Sequence, residues 1–429
     1  MTFASRRRMT ALTTLALSAA LVVPATALAQ DGPTEITLFG HGAGNPDELE
    51  ILEMINADFE AAQDDYVIVM EQFPQIAYND AVVGAALAGE MPCLVDVDGP
   101  VMPDWAWSGY LSPLTIDEEV VADFLPTTLG YWDGQLHSVG LWEAAKAIYA
   151  RKSDLEKYGL RIPTLEEPWT GEEFDEVLAA YKDSGDFEYA FDPGMNWTGE
   201  WYPYAFSPFL QSFGGDIIDR DTYLTAEGVL NGPEAVEFGE WWQMLFAEGY
   251  APGTSQEAAD RDNGFIEGKY GLQWNGNWAA RAAVEQFGDD MLFLPAPDFG
   301  NGPKIGAGSW QWAVSADCEH PEGANAWIEF ASDDKYLAAF SNQGGLIPST
   351  PGAAAMSDLY SEGQPLEVFF GLSDAQALIR PPTPAYTNAA LVFEKAMADI
   401  ANGADVQTAL DAAVDEIDAD IESNNGYGF

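Results

Sequence analysis

Thr34-Glu35-Ile36-Thr37-Leu38-Phe39, the helix start Asn45-Pro46-Asp47-Glu48, and Tyr66-Val67-Ile68-Val69-Met70 together decide the fold. The first segment alternates as a strand does. Asn45 offers an N-cap oxygen, Pro46 fits N1 and Glu48 sits at N3, and Leu49, Leu52, Ile55 and Phe59 follow at helical spacing. The β-branched run from Tyr66 to Met70 reads as a second strand. Asp80 to Ala88 reads as a small-residue helix closed by Gly89, and Cys93 to Val97 as a short buried strand ending in Asp98-Gly99-Pro100. Strand, helix, strand, helix, strand within about 65 residues is the rhythm of a parallel α/β sheet.

Farther along, residues 138–149 form an apolar extended segment, and Thr170 with Glu173 predicts a capping box for a helix over 168–181. Pro203 to Phe213 is an aromatic-rich helix stopped by Gly214-Gly215, and Gly232-Pro233 opens another that passes Trp242 and Phe246. Extended segments are expected near 269–274, 291–294 and 306–314, and helices over 322–332, 333–342, 388–402 and 404–422. The tail from Asn424 to Phe429 is expected to be loose.

Residues 1–29 have the layout of a signal peptide: Arg6-Arg7-Arg8, an apolar run from Ala11 to Val23, then Ala27-Leu28-Ala29. Cleavage near Ala29 delivers the chain to the periplasm or outside the cell, by the general secretory or the twin-arginine route. No Cys stands near the cleavage point to take a lipid, and no later run of ~20 apolar residues could cross a membrane. The mature 400 residues (429 less 29), nearly half apolar and 13% aromatic, exceed one typical core, so two lobes are expected.

Cleavage removes three of the 17 basic residues and none of the 70 acidic ones, taking the formal charge from −53 to −56. Such a surface repels nucleic acid and anionic membranes and keeps copies apart, which fits a monomer. Its even spread and the scarcity of Lys fit a saline habitat, where screening makes self-repulsion tolerable; an ordinary acidic secreted protein is the alternative. Cys93 and Cys318 are the two cysteines. In an oxidising compartment such a pair is more often bridged than free, two buried thiols being the alternative. Two cysteines build neither a disulfide scaffold nor a Cys-based zinc site, and no cofactor motif is present.

Trp142-Glu143-Ala144-Ala145-Lys146-Ala147-Ile148-Tyr149 and Trp274-Asn275-Gly276-Asn277-Trp278 place acid and amide groups beside aromatic rings far apart in the chain. That chemistry suits sugar hydroxyls and the apolar faces of pyranose rings. Gly-x-Ser-x-Gly, His-Glu-x-x-His and Cys-x-x-Cys signatures are all missing, which points to binding and not to catalysis.

Five spaced motifs resemble, in order, the extracellular solute-binding proteins of carbohydrate ABC importers, the family that includes maltose- and trehalose-binding proteins. They are Tyr78-Asn79-Asp80 with Ala88-Gly89-Glu90-Met91-Pro92, the segment Ala106 to Leu114, and Ile148 to Leu155, where Ala150 departs from the usual Asn. Asn275-Gly276-Asn277-Trp278 and Arg380-Pro381 through Tyr386 complete the set. The resemblance implies two α/β lobes joined by crossing hinge strands, with ligand held in the cleft and closure on binding. Lobe one is expected to comprise 30–142 plus 306–343, and lobe two 146–303 plus 346–429. Cys93 and Cys318 then share a lobe, which favours a disulfide.

The resemblance also nominates a ligand set. Glu143 takes the place of the family's sugar-binding acid, with a hinge salt bridge to Lys146 as the competing role. Trp278 takes the place of its stacking Trp, presented by Asn275 and Gly276 at a strand end. Trp310 is preferred over Trp312 as a second stacking ring, and one of Trp105, Trp107 and Tyr110 is expected as a third, Trp105 coming first after the strand end. Trp201 and Tyr202, with Tyr204, stand where the family has another aromatic wall, core packing being the rival role. Arg380 is expected to meet vicinal hydroxyls or a cleft acid. His41 and Asp98 end strands, where α/β clefts receive ligands.

The expected function is therefore the periplasmic receptor of a carbohydrate ABC importer. It would bind a mono- to small oligosaccharide, with a lean toward an α-glucoside, and deliver it to permease subunits in the inner membrane. A secreted glycoside hydrolase is the rival from another class. The same fold around a compatible solute or polyamine is a third reading, because an aromatic box around a cation also uses Trp and Glu.

Overall fold

The computed structural model describes residues 32–253 and 263–428. The expected signal peptide, residues 1–29, lies outside them. The chain forms two α/β lobes, each built on its own sheet.

The first sheet begins as the sequence reads. Strands β1 (Thr34–Gly40), β2 (Tyr66–Gln72) and β3 (Leu94–Asp98) pair in parallel, with β1 central. The helix between β1 and β2 spans Pro46–Ala62, and Asn45 Oδ1 accepts from the Glu48 amide as the N-cap. The second connecting helix, Gln75–Ala88, starts five residues before the expected Asp80 and ends where Gly89 adopts the left-handed conformation. The sheet is mixed beyond β3. Strand β12 (Trp310–Ser315) lies antiparallel between β3 and β6 (Gln135–Val139), and β5 (Leu129–Trp132) closes the edge. Cys93 and Cys318 are joined by a disulfide. It ties the entry of β3 to the exit of β12, the end of the sheet remote from Asp98 and Trp310.

The second sheet is organised on β7 (Trp142–Arg151), whose residues from Trp142 to Ala150 are all buried. It pairs with β9 (Tyr270–Gly276), β10 (Met291–Leu294), β11 (Ile305–Gly308) and β13 (Ile347–Pro348). Four Ala residues in β7 let these neighbours and the overlying helices approach closely, a dense core of the kind that resists rearrangement. The helix Gly171–Ser184 starts in the capping box read from Thr170 and Glu173.

The chain passes between the sheets at Gly140-Leu141, at Ser309 and at Gly345-Leu346. Residues 306–308, placed with lobe one by the sequence, belong to β11 and pair with β7, so that crossing falls at Ser309. The first two crossings touch. A Cβ on Gly140 would collide with Ser309 Oγ, so the position admits only glycine without displacement. The tail is not loose: Tyr427 is buried, its hydroxyl donates to Asp420 Oδ2 at 2.7 Å, and its ring meets Trp107 edge-on at 4.9 Å.

The disulfide joins two residues of one lobe that stand 225 apart in sequence, so the loop it closes contains the 142–308 excursion through lobe two. Replacing both cysteines by serine is expected to lower the unfolding free energy by about 2–4 kcal/mol, read from urea midpoints at unchanged slope. An unchanged midpoint would show that the bridge contributes nothing.

Candidate functional site

A cavity of about 410 Å³ lies where the lobes meet, within the size range of small-molecule sites. Lobe one contributes His41, Glu48, Asp98 and Trp310 to its wall. Lobe two contributes Trp197, Glu200, Trp201, Tyr204, Trp278 and Arg380. The hinge segments add Trp142, Ala144, Gly308 and Ser309.

Strand ends position the lobe-one groups. His41 follows β1 and stacks on Trp310, the first residue of β12, with centroids 3.9 Å apart and planes 15° from parallel. Its Nδ1 bonds to Asp96, and its Nε2 lies 3.7 Å from Glu48 Oε2. Burial works against charge on this imidazole, but Asp96 and Glu48 outweigh it and raise the pKa from 6.5 to about 9. His41 is thus a cation held between two carboxylates.

In lobe two, β9 ends in the Asn275-Gly276-Asn277-Trp278 turn. A Cβ on Gly276 would overlap the Trp278 ring, so glycine is what lets that indole fold back toward the cleft. Trp278 is half-buried, packs against the cores of both lobes, and lies 6.2 Å from Tyr204 at a 33° tilt. Trp201 begins the helix Trp201–Phe213 and carries Trp197 stacked at 4.8 Å.

Arg380 spans the cleft. Its Nη1 bonds to Glu200 of lobe two, and its Nη2 lies 3.5 Å from Asp98 of lobe one. Burial opposes its charge, yet the two acids hold it protonated, and its guanidinium carbon sits 5.1 Å from the Tyr204 centroid. Burial pushes Glu200 up to about 7 against the pull of Arg380, and Tyr386 donates to the same carboxylate.

Of the residues nominated from sequence, His41, Asp98, Trp201, Trp278, Trp310 and Arg380 meet around this one cavity. Four others lie elsewhere. Glu143 is fully buried and absent from the wall: its carboxylate accepts from the Thr127 hydroxyl and, at 2.7 Å, from the Gly308 amide. Trp142 and Ala144 face the cavity, so strand alternation turns Glu143 to the opposite side. The same parity rules out its salt bridge to Lys146, three residues on. Burial pushes Glu143 up to about 7 even so.

Trp105 is 3% exposed and packs with Tyr78, Val95 and Val97 in a lobe-one core. Tyr202 turns from Trp201 into the helix interior, edge-on to Phe206 at 5.0 Å. Asn275 is buried, its amide donating to Gln273 Oε1 at 3.2 Å and its oxygen capping the Gly276 amide.

Sequence reasoning overlooked Glu48, Glu200 and Trp197. Glu48 reads only as a helix-capping acid, and Trp197 sits inside Asn196-Trp197-Thr198, which by letter is a glycosylation sequon. Glu200-Trp201, an acid opening an aromatic helix, was the signal available for Glu200.

A model of the family described as bacterial extracellular solute-binding protein matches residues 55–365. The maltotriose-binding protein of Pyrococcus abyssi is 24% identical over 357 residues, covering 79% of this chain and 72% of its own. An uncharacterized lipoprotein of Streptomyces antibioticus is 25% identical over 341 residues, 76% of this chain and 73% of its own. Among solved structures, the GacH receptor of Streptomyces glaucescens, studied unliganded and with acarbose, superposes with a TM-score of 0.74 at 20% identity, covering 91% of this chain and 98% of its own. The cyclic α-maltosyl-1,6-maltose binding protein of Arthrobacter globiformis gives 0.73 at 21% identity, covering 91% and 100%. Both structures share this fold.

Folded-state pKa values raised for Glu143 (4.5 to about 7) and His41 (6.5 to about 9) mean that the native chain keeps protons the unfolded chain has released. Each group stabilises fully below its unfolded value, and that contribution is lost as pH rises through the folded one. Stability should therefore fall in two limbs, between 4.5 and about 7 for Glu143 and between 6.5 and about 9 for His41, each worth on the order of 3 kcal/mol. Calorimetry across pH should find the lower limb flattened by Glu143→Gln and the upper by His41→Gln. A melting temperature that climbs over this range contradicts the assignment.

Proposed function

The chain belongs to the family of bacterial extracellular solute-binding proteins, and on that footing we propose that it is the exported receptor of a carbohydrate ABC importer. Its cargo is a mono- to small oligosaccharide, with an α-glucoside first among candidates, handed to permease subunits in the inner membrane. The protein acts as a monomer in the periplasm after losing residues 1–29.

One observation carries the reading. Aromatic rings from both lobes, Trp310 on one side and Trp278, Tyr204 and Trp197 on the other, converge on a cavity whose charged groups are already paired. Indole faces suit the apolar faces of pyranose rings, while Asp98, Glu200 and Arg380 can turn unused hydrogen-bonding capacity to hydroxyls. Motion of one lobe against the other can then bury the sugar from both sides. The names of the maltotriose-binding and acarbose-studied relatives support an α-glucoside.

The hydrolase alternative calls for two carboxyl groups free to act as acid and base across a groove. Here Asp98 and Glu200 share Arg380, and Glu48 faces His41. A polyamine or betaine calls for uncompensated acid in an aromatic box, and the same pairing argues against that.

Saturating maltose, trehalose or another α-glucoside is expected to stabilise the protein by about 2.7 kcal/mol at a hundredfold excess over Kd, read as a rise in melting temperature. Betaine and spermidine should leave it unmoved. Trp278→Ala and Trp310→Ala should each weaken sugar binding by about 10–100-fold with the fold intact. Release of free monosaccharide from the bound glycoside, or a response to betaine and none to sugars, would overturn the proposal.

A further inference from the structure

We infer that Lys146 determines what the cleft rejects: its Nζ fills, from inside the protein, an aromatic box that would otherwise admit a small organic cation. The inference rests on the cavity being the binding site proposed above, and it concerns selectivity at that site.

Strand parity gives the position. Trp142, Ala144 and Lys146 lie on one face of β7; the first two reach the cavity wall, and Lys146 is the next residue inward on the same face.

The amine lies 3.6 Å from the Trp201 ring centroid, 5.4 Å from Trp274, 5.6 Å from Trp278 and 5.9 Å from Tyr204. All four fall within the roughly 6 Å reach of a cation–π contact. Three of these rings, Trp201, Trp278 and Tyr204, also line the cavity. An amine 3.6 Å above Trp201 and a parallel Trp197 ring at 4.8 Å cannot share one face without overlap. They take opposite faces, and Trp201 becomes a partition between Trp197 and the box.

The bonding of the amine is equally specific. Lys146 is wholly buried, and among the described residues it has no carboxylate within ion-pair distance; its hydrogen bond goes to the Trp274 carbonyl at 3.1 Å. Burial drives its pKa well below the ordinary lysine value, against a distant pull from Asp192. A lysine in an apolar core without a carboxylate beside it is costly, and aromatic faces are what this site offers in compensation. Trp201 Nε1, Tyr204 Oη and Trp278 Nε1 are buried around it without partners among the described residues. The box is thus arranged about its occupant and not about its own polar atoms.

Four rings around one nitrogen are the means by which proteins hold methylated ammonium groups. Here the nitrogen is the protein's own, so a quaternary ammonium compound finds the place taken while an uncharged polyol uses the outer walls.

The test compares wild type, Lys146→Ala and Lys146→Met by calorimetric titration with tetramethylammonium chloride and glycine betaine, against sodium chloride at equal ionic strength. Lys146→Ala should bind tetramethylammonium at least about tenfold more tightly than wild type, because the vacated aromatic box is then open to an ammonium group. Lys146→Met, which fills the space with an uncharged chain of similar length, should gain no affinity for the cation. A folded Lys146→Ala protein that binds the cation no better than wild type overturns the inference, as does wild-type binding of equal strength. If the alanine variant does not fold alone, its recovery on refolding in tetramethylammonium chloride but not in sodium chloride supports the inference, and failure in both overturns it. The cation titration does not depend on sugar binding, so a wild type that ignores sugars would sink the proposed function and leave this result to be judged separately.

Discussion

Everything at the cleft depends on one strand buried on both faces. From Trp142 to Ala150 every residue of β7 is buried, and four other strands hydrogen-bond to it. A strand so enclosed cannot slip by one residue without exchanging its two faces, which would move Trp142, Ala144 and Lys146 away from the cavity and carry Glu143 into it. Close packing therefore fixes which side chains the ligand can meet. Glu143 adds a second lock. Through the Thr127 hydroxyl and the Gly308 amide it joins β7 to the segment before β5 and to the edge of the Ser309 crossing.

The architecture was legible because its signals are local. Asn45 caps its helix, Thr170 and Glu173 form the capping box, and the strands at 34, 66 and 94 alternate or end where their side chains indicate. Each such signal acts within a few residues and does not need the rest of the chain. The Ser309 crossing was not legible, because Ile305 to Ser315 reads as a single extended run. Only its partners, β7 for the first half and β3 for the second, divide it.

The site residues were half legible for a related reason. A strand with one wet face announces its orientation by polarity, but β7 has none, so nothing in its sequence says whether Glu143 or its neighbours look into the cleft. Trp105 sits on a helix of only six residues, too short for periodicity to fix a buried face. Trp278, by contrast, was legible because Gly276 marks where an indole must fold over the backbone. The tail misled because Asn, Gly and Tyr in sequence resemble a free end. It is held by Tyr427, whose hydroxyl finds Asp420 and whose ring finds Trp107 in the other lobe.

The distribution of charge narrows what the cleft can hold. In a chain with so few basic residues, Arg380, His41 and Lys146 stand in or just behind one cavity wall, and the first two are matched to Asp98, Glu200, Asp96 and Glu48. A buried pair is expensive to break once made, because the abandoned partner remains uncompensated. An anionic ligand would have to displace carboxylates from Arg380 or lie against them, and a cationic one would have to displace Arg380, His41 or Lys146. An uncharged ligand displaces none of these. The pair between Arg380 and Asp98 also crosses from one lobe to the other, as does the bond from the Thr387 hydroxyl to Asp104 at 3.0 Å. Opening the cleft must break both, so the free energy that keeps the lobes together is partly present before any ligand arrives. An uncharged ligand can add its own contacts to this arrangement without disturbing the charges that hold it.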